Sequence, residues 1–222
     1  MIKRELRKTG DGSMTIYQPE IDEHYHSYHG ALQEAVHVFI KNGIQKLPFK
    51  DEISVFELGF GTGLNALLTA IWSIKNNKKV SYFGLEAFPV EKEMNRAMNY
   101  SSLISESSAS SYFEKIIDAE WEKVIEVNPN FQLKKVAHKI QDVIILEQFD
   151  VVFFDAFGFR AQEEMWSYDV LEKTTQLLKT EGLFVTYCAK GQFKRNLNAL
   201  GLRVEALPGP PGKREMTIAW KI

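Results

Sequence analysis

ELGFGTGLN, residues 57–65, carries three alternating glycines, Gly59, Gly61 and Gly63, between an apolar run from Ile53 to Leu58 and the segment LNALLTAIWSI, residues 64–74. The first run reads as a strand, and the second is apolar almost all round, as in a helix packed deep against a sheet. Glycines at such a strand-to-helix turn let a ligand approach the backbone, because no side chain stands in the way. The spacing is not the G-x-G-x-x-G of a dinucleotide turn, and the Lys followed by Ser or Thr of a P-loop is absent. Glu57, two residues before the first glycine, would repel a phosphate. The loop therefore suits a cationic ligand, with Glu57, Gly59, Gly61, Gly63 and Asn65 as its candidate contacts.

Outward from this loop, strand and helix patterns alternate. ALQEAVHVFIK, residues 31–41, has Ala31, Leu32, Ala35, Val38 and Phe39 on one face and predicts a helix ahead of the first strand. VSYFGLEAF, residues 80–88, predicts a second strand ending at Glu86, about 30 residues after the first, the length of a βαβ unit. A helix is expected from Val90 to about Tyr100, and the seven serines of residues 101–111 read as a mobile surface loop. EKIIDAEWEKVI, residues 114–125, predicts an amphipathic helix, and FQLKKVAHKI, residues 131–140, a strand ending before Asp142. FDVVFFDAF, residues 149–157, predicts a buried strand, Val151 to Phe154, that ends in Asp155. A helix over 169–179, a buried strand over 182–189 and a short helix over 192–201 follow. LRVEAL and REMTIAWKI, joined by PGPPG at residues 208–212, predict an antiparallel hairpin.

This alternation predicts a doubly wound parallel sheet whose last strand is antiparallel. Ligands bind such sheets beyond the carboxyl ends of the strands, and Glu57, Glu86, Asp142 and Asp155 each fall at or just after one of four successive predicted strands. Four acids are thus expected along one crevice. Glu86 is placed to accept ribose hydroxyls, Asp142 to reach an adenine amino group and Asp155 to face the reacting centre.

The chain has 222 residues, 45% hydrophobic and 25% charged, which excludes collagen-like and wholly disordered classes and predicts one domain. No apolar run approaches the ~18 residues of a membrane span, and MIKRELRKTGDG has no signal-peptide core, so a cytoplasmic protein without a membrane partner is expected. The single Cys188 excludes an internal disulfide and a multi-thiolate zinc site, and reads as a buried core thiol. His24, His26 and His29 are closely spaced, but no thiolate or paired carboxylate completes a metal site, so none is expected; His37 reads as a packed helix residue. Net charge is −2, unevenly spread: residues 186–222 carry +5 and residues 1–11 carry +2, leaving −9 between them. Basic ends of this kind can form a footprint for a polyanion.

The ground plan resembles class I methyltransferases, Rossmann-like folds that use S-adenosylmethionine, whose ammonium and sulfonium suit an acid beside open backbone. A narrower resemblance follows from ELGFGTGLN, from DAF at 155–157 with EMW at 164–166, from GKREM at 212–216 and from TIYQPEIDEHYHSYHGALQEAVHVF at 15–39. Together these resemble the tRNA 5-aminomethyl-2-thiouridine methyltransferases, the amino-terminal half of MnmC and its stand-alone form MnmD. The resemblance implies transfer of a methyl group from S-adenosylmethionine to the 5-aminomethyl group at the tRNA wobble position. It implies residues 51–222 as the methyltransferase domain and residues 1–50 as an amino-terminal extension and helix packed on it. The FAD-dependent domain of bifunctional members has no counterpart in these residues, so a separate enzyme is expected to supply the aminomethyl intermediate. Asp155 is the expected catalytic residue and also an expected S-adenosylmethionine contact, Phe157 a wall for the target base, and Lys190, Lys194, Arg195, Lys213 and Arg214 the expected tRNA phosphate contacts. Phe159 is placed equally well against the base, the adenine or the core, and the four tryptophans read as packing. The chain departs from the family in DAFGFRAQ, residues 155–162, which lacks the usual proline after the motif. Two other classes stay open at this stage: a methyl- or aminopropyltransferase acting on a small-molecule or protein amine, and a non-catalytic RNA-binding module.

Overall fold

Period-two alternation builds the sheet. In the computed structural model, which describes residues 2–222, Val55 and Phe153 face one layer of helices while Phe56, Phe154 and Phe184 face the other. Three short strands come first, β1 (Glu5–Lys8), β2 (Met14–Gln18) and β3 (Glu23–His24), pairing antiparallel as a small separate sheet. Helix α1 (Ala31–Ala35) continues as a π turn over Val36–Lys41, closed by the Asn42 N–H donating to the His37 carbonyl. Then come β4 (Glu52–Leu58), α2 (Leu64–Lys75), β5 (Lys79–Leu85), α3 (Lys92–Arg96), α4 (Tyr100–Leu103) and α5 (Ala109–Asp118). The rest is β6 (Val124–Asn128), β7 (Phe131–Val136), β8 (Phe149–Phe154), α6 (Tyr168–Gln176), β9 (Leu178–Thr186), α7 (Gly191–Ala199), β10 (Leu202–Pro208) and β11 (Glu215–Lys221).

The large sheet has the order β10-β11-β9-β8-β4-β5-β7-β6. β4, β5, β7, β8 and β9 run parallel, and β11 is antiparallel to β9 as expected from the terminal hairpin. From β4 the chain winds outward through β5 and then returns to place β8 on the other side of β4. The carboxyl ends of β4 and β8 therefore diverge at a topological switch point, where a crevice is unavoidable.

Four local readings change. The helix expected over Val90–Tyr100 is two short turns, α3 and α4. The serine-rich loop is largely helical: Ala109, Phe113, Ile116 and Ile117 form a buried stripe at helical spacing in α5, while the serines face outward. The helix expected over 114–125 ends at Asp118, and residues from Val124 instead form β6, antiparallel to β7. Lys135 of β7 ends α5: its ammonium donates to the Ile116 and Ile117 carbonyls at 2.9 and 3.2 Å, satisfying terminal acceptors of the helix. The helix expected over 169–179 stops at Gln176, because Leu178 already pairs with Phe149 in the sheet.

At the sheet end opposite the crevice, Asp150 is buried under Lys50 (2.6 Å), Lys179 (2.9 Å) and the Ser54 N–H (2.8 Å). Burial alone would raise its pKa, but these donors hold it down to about 2, against an ordinary 3.8. The stabilisation from this depressed carboxyl is therefore complete above the ordinary value and lost as pH falls from about 4 through about 2. Asp150→Asn leaves two lysines without their shared anion and is expected to cost about 3 kcal/mol at pH 7 by denaturant titration. An unchanged midpoint would show the cluster to be energetically neutral.

Candidate active site

The crevice at the switch point has a volume of about 1020 Å³. One wall is the glycine loop, Gly59 to Thr62; the opposite wall is Asp155 to Gly158 at the end of β8. The two are stitched together by the Asp155 N–H donating to the Leu58 carbonyl at 2.9 Å. Gly59 has φ +91°, and a Cβ there would collide with the Asp155 carbonyl oxygen. This position needs glycine for conformation and for space.

The loop differs from a phosphate cradle. The Gly59 and Phe60 N–H groups donate to the Leu85 carbonyl at 3.0 and 3.1 Å, Gly63 N–H donates to Phe60, and Gly61 N–H donates to the Glu86 carboxylate at 2.9 Å. These amides are spent within the protein rather than offered to an anion. Glu86, half-buried at the end of β5, also accepts from the Phe88 N–H, so its position is fixed from both oxygens.

Glu57 is 1% exposed and lies behind the crevice surface rather than on it. Asn65, the second residue of α2, stands in front, and its Nδ2 donates at 2.8 Å to both Glu57 Oε1 and Asp155 Oδ2. Two carboxylate acceptors fix the orientation of this amide. Glu57 Oε2 and Asn65 Oδ1 are buried with no donor. Burial, and then the nearby Asp155 charge, raise the Glu57 carboxyl well above its usual range. Asp155 is pushed up to about 7 by burial first and Glu34 second, against the Asn65 hydrogen bond and the Lys213 charge. Burial and neighbouring carboxylates thus make both carboxyls reluctant to ionise, and a positive charge placed in the crevice would favour their charged forms.

The amino-terminal residues close the crevice. Arg4, just before β1, its side chain 3% exposed, donates to Glu91 (2.8 Å), to the Phe88 and Pro89 carbonyls and to the Tyr25 hydroxyl (3.1 Å). Tyr25 lies edge-on to Phe157 at 5.0 Å and beside Gly61, which spans the crevice from loop to motif. Sequence reading had no signal for Arg4 or Tyr25, because their partners lie far along the chain. His24, His26, Ser27 and His29 line the same wall. His26 faces Thr15 at 3.2 Å, and burial lowers its pKa to about 4, so it is neutral. Glu34 of α1 and Lys213 of the β10–β11 turn also line the crevice, paired at 2.6 Å.

Of the other expected contacts, Asp142 is exposed, six residues beyond the end of β7, on the outer rim of the crevice. Phe157 forms part of the wall; Phe159 instead stacks on the buried Trp166 at 4.9 Å, whose Nε1 donates to the Phe157 carbonyl. In place of the missing proline, Arg160 anchors this loop to Asp22 at 3.2 Å. Lys190, Lys194, Arg195 and Arg214 lie outside the crevice lining, with Lys194 paired to Glu215 at 2.9 Å and Lys190 over the Phe159 ring at 4.0 Å. Cys188 is a buried thiol, and His37 is half-buried with its Nε2 at 2.8 Å from the Pro208 carbonyl. Among the described residues, no helix is long and apolar enough to cross a membrane.

The sheet order and the crevice at its switch point define a class I methyltransferase. The chain belongs to the S-adenosyl-L-methionine-dependent methyltransferase family, whose sequence profile matches residues 104–222, the half that carries Asp155. Along nearly its whole length it is similar to MnmC, the tRNA 5-methylaminomethyl-2-thiouridine biosynthesis bifunctional protein. The protein from Leptospira interrogans is 28% identical over 95% of this chain and 34% of its own length. That from Cupriavidus metallidurans is 27% identical over 92% and 32%. The chain thus spans about a third of these relatives. Its fold is that of MnmC2 from Aquifex aeolicus, with a TM-score of 0.78 over 99% of this chain and 70% of the other at 23% identity. The residues present fit S-adenosylmethionine: Asn65, on the crevice lining, has a buried Oδ1 without a donor that could accept from an ammonium, and a Cβ at Gly59 would close the loop against Asp155.

Proposed function

We propose that this chain methylates the primary amine of 5-aminomethyl-2-thiouridine at the tRNA wobble position, giving 5-methylaminomethyl-2-thiouridine. The observation that carries the reading is the place of Asp155, a half-buried carboxyl on the wall opposite the glycine loop that accepts from Asn65 Nδ2 at 2.8 Å and is pushed up to about 7 by burial. The similarity to MnmC proteins supplies the substrate. In this reading Asn65 and Glu57 hold the amino acid part of S-adenosylmethionine, the glycines 59, 61 and 63 admit it, Glu86 takes the ribose and Asp142 the adenine edge. Residues 1–50 wall the acceptor side, and residues 51–222 form the methyltransferase domain. The bound cosubstrate supplies an electrophilic methyl group on a sulfonium.

What remains for the protein is alignment and proton control. An attacking amine must be neutral, and a carboxylate with pKa about 7 accepts the proton of an incoming ammonium within the crevice. Asp155 then orients the nitrogen and stabilises the positive charge that grows on it as the new bond forms. Phe157 packs beside the base. A separate enzyme supplies the primary amine, and the reaction places the protein with tRNA in the cytoplasm.

Transfer of labelled methyl to tRNA carrying unmethylated 5-aminomethyl-2-thiouridine, followed by nucleoside analysis, tests this. Label in the methylaminomethyl nucleoside is expected. Label absent there but present on a small-molecule or protein amine would move the acceptor to that class. Lys190, Lys194, Arg195 and Arg214 are the proposed phosphate contacts. Affinity for tRNA should fall at least about 100-fold between roughly 50 and 200 mM salt, and the fourfold alanine variant should flatten that slope. An unchanged slope would return these side chains to ordinary surface.

A further inference from the structure

The Glu34–Lys213 pair ties α1 to the β10–β11 turn, and it does so on the lining of the crevice. The two residues are 179 positions apart, joined at 2.6 Å, with side-chain exposures of 10% and 33%. Removing two charges from water is costly, so the pair as a whole is weakly stabilising at best and is informative chiefly about what it positions. Glu34 is held from behind by the Ser27 N–H, which donates to its other oxygen at 2.8 Å. Lys213 is held across the face of Tyr187, its ammonium 3.6 Å from the ring centroid, and the Tyr187 hydroxyl donates at 2.8 Å to the carbonyl of Ala156, next to Asp155. Its turn docks closely on the amino-terminal wall: Gly212 has φ +84°, and a Cβ there would collide with the His29 ring. Every support of the pair converges on the acceptor side of the crevice.

An ammonium has three N–H groups. In Lys213 one serves Glu34 Oε1 and one faces the Tyr187 ring, which leaves a third for a ligand; both residues line the crevice, and each Glu34 oxygen, bonded once to Lys213 or Ser27, keeps a further lone pair. A donor next to an acceptor is the complement of a uracil edge, O4 followed by N3–H. The substituent on C5 lies next to O4, so a base gripped by that edge directs its amine along the same wall, where Asp155 stands. The pair is nearly neutral as a unit, so it offers this donor without repelling a sulfonium nearby.

Resting on the function proposed above, we propose that Lys213 and Glu34 form the specificity site for the target base, with Lys213 donating to O4 and Glu34 accepting from N3–H. This reassigns Lys213 from the phosphate contacts. A cytosine ring presents the opposite polarity at both positions and leaves both protein groups unpaired. Sites built around such hydrogen bonds reject mismatched analogues strongly.

The test uses two synthetic anticodon stem-loops, one with 5-aminomethyl-2-thiouridine and one with 5-aminomethylcytidine at the wobble position. Wild-type protein is expected to favour the uridine substrate by at least about 100-fold in kcat/KM. Removing Lys213 also raises Asp155, so rates are compared on the alkaline plateau of each pH profile; there Lys213→Met is expected to lose at least about 30-fold more on the uridine substrate than on the cytidine one, with S-adenosylmethionine affinity and the salt slope of RNA binding unchanged. Glu34→Gln should lower the same ratio in part. Wild-type transfer to both substrates without discrimination, or a ratio unaltered in Lys213→Met, would overturn the assignment even if a variant folds poorly, since the first result needs no variant. A reduced salt slope in Lys213→Met would return this residue to the phosphate contacts. No wild-type transfer to either stem-loop would remove the tRNA reading itself.

Discussion

Asp155→Ala is expected to lower kcat for amine methylation at least about 100-fold while S-adenosylmethionine binds within a few-fold of wild type. The reason is positional. Asp155 faces the crevice from the end of β8, whereas Glu57 lies behind Asn65 on the other side of the switch point. The variant removes one of the two acceptors of the Asn65 amide but keeps Glu57, so Asn65 is expected to stay oriented. Wild-type kcat should also fall as pH drops through about 7, because the carboxyl is held up there by burial and by Glu34, against Asn65 and Lys213, and only its ionised form accepts the amine proton. Glu57 and Tyr187 share this surrounding, and each is itself raised by burial first and by the charge of Asp155 second. A raised carboxyl pKa has the opposite consequence for folding: stability contributed by protonated Asp155 is lost as pH rises from 3.8 towards about 7. Activity and stability should thus move in opposite directions across that window. Rate measurements and cosubstrate titrations on one preparation decide the matter, and an equal loss of both in Asp155→Ala would place the residue in the binding machinery instead.

Gly59→Ala is the second large expectation. The added Cβ meets the carbonyl of Asp155 while the backbone sits at φ +91°, so either the loop or the end of β8 must move. We expect a cost of about 2–3 kcal/mol, a Tm lower by roughly 5–10 °C, and S-adenosylmethionine affinity weaker by at least about 100-fold. Gly158→Ala is the matched control. It lies three residues beyond Asp155, in the stretch that lacks the usual proline, and a Cβ there meets nothing closer than 3.8 Å. Thermal denaturation and cosubstrate titration should leave this variant close to wild type. If the two glycine variants behave alike, steric exclusion at the switch point is not what sets the site.

The reading from sequence succeeded where a signal is local or periodic. Ile53 to Leu58, Val151 to Phe154 and the terminal hairpin were legible because side chains alternate between two buried faces, a pattern that survives without knowledge of the partner strand. The serine-rich segment before β6 misled for the complementary reason. Four apolar residues of α5 carry its helical stripe, but the serines around them dominate the composition. β6 was hidden inside an apparent helix because Val124–Asn128 is a short edge strand, with only its last two residues buried.

The candidate site divides in the same way. Sequence alone determined the glycine loop, the acids at strand ends and hence the side of the sheet on which chemistry can occur, since topology forces ligands to the carboxyl ends of parallel strands. It could not rank those acids. Tertiary structure set Glu57 behind Asn65, put Asp142 on the exposed rim, and tied Glu86 to the backbone of the loop it serves. It also decided that Lys213 faces the crevice while Arg214, its neighbour, does not. Arg4 with Glu91, and Glu34 with Lys213, are joined across 87 and 179 residues. A contact of that range depends on how separate elements dock, and no pattern within either segment encodes the position of the other.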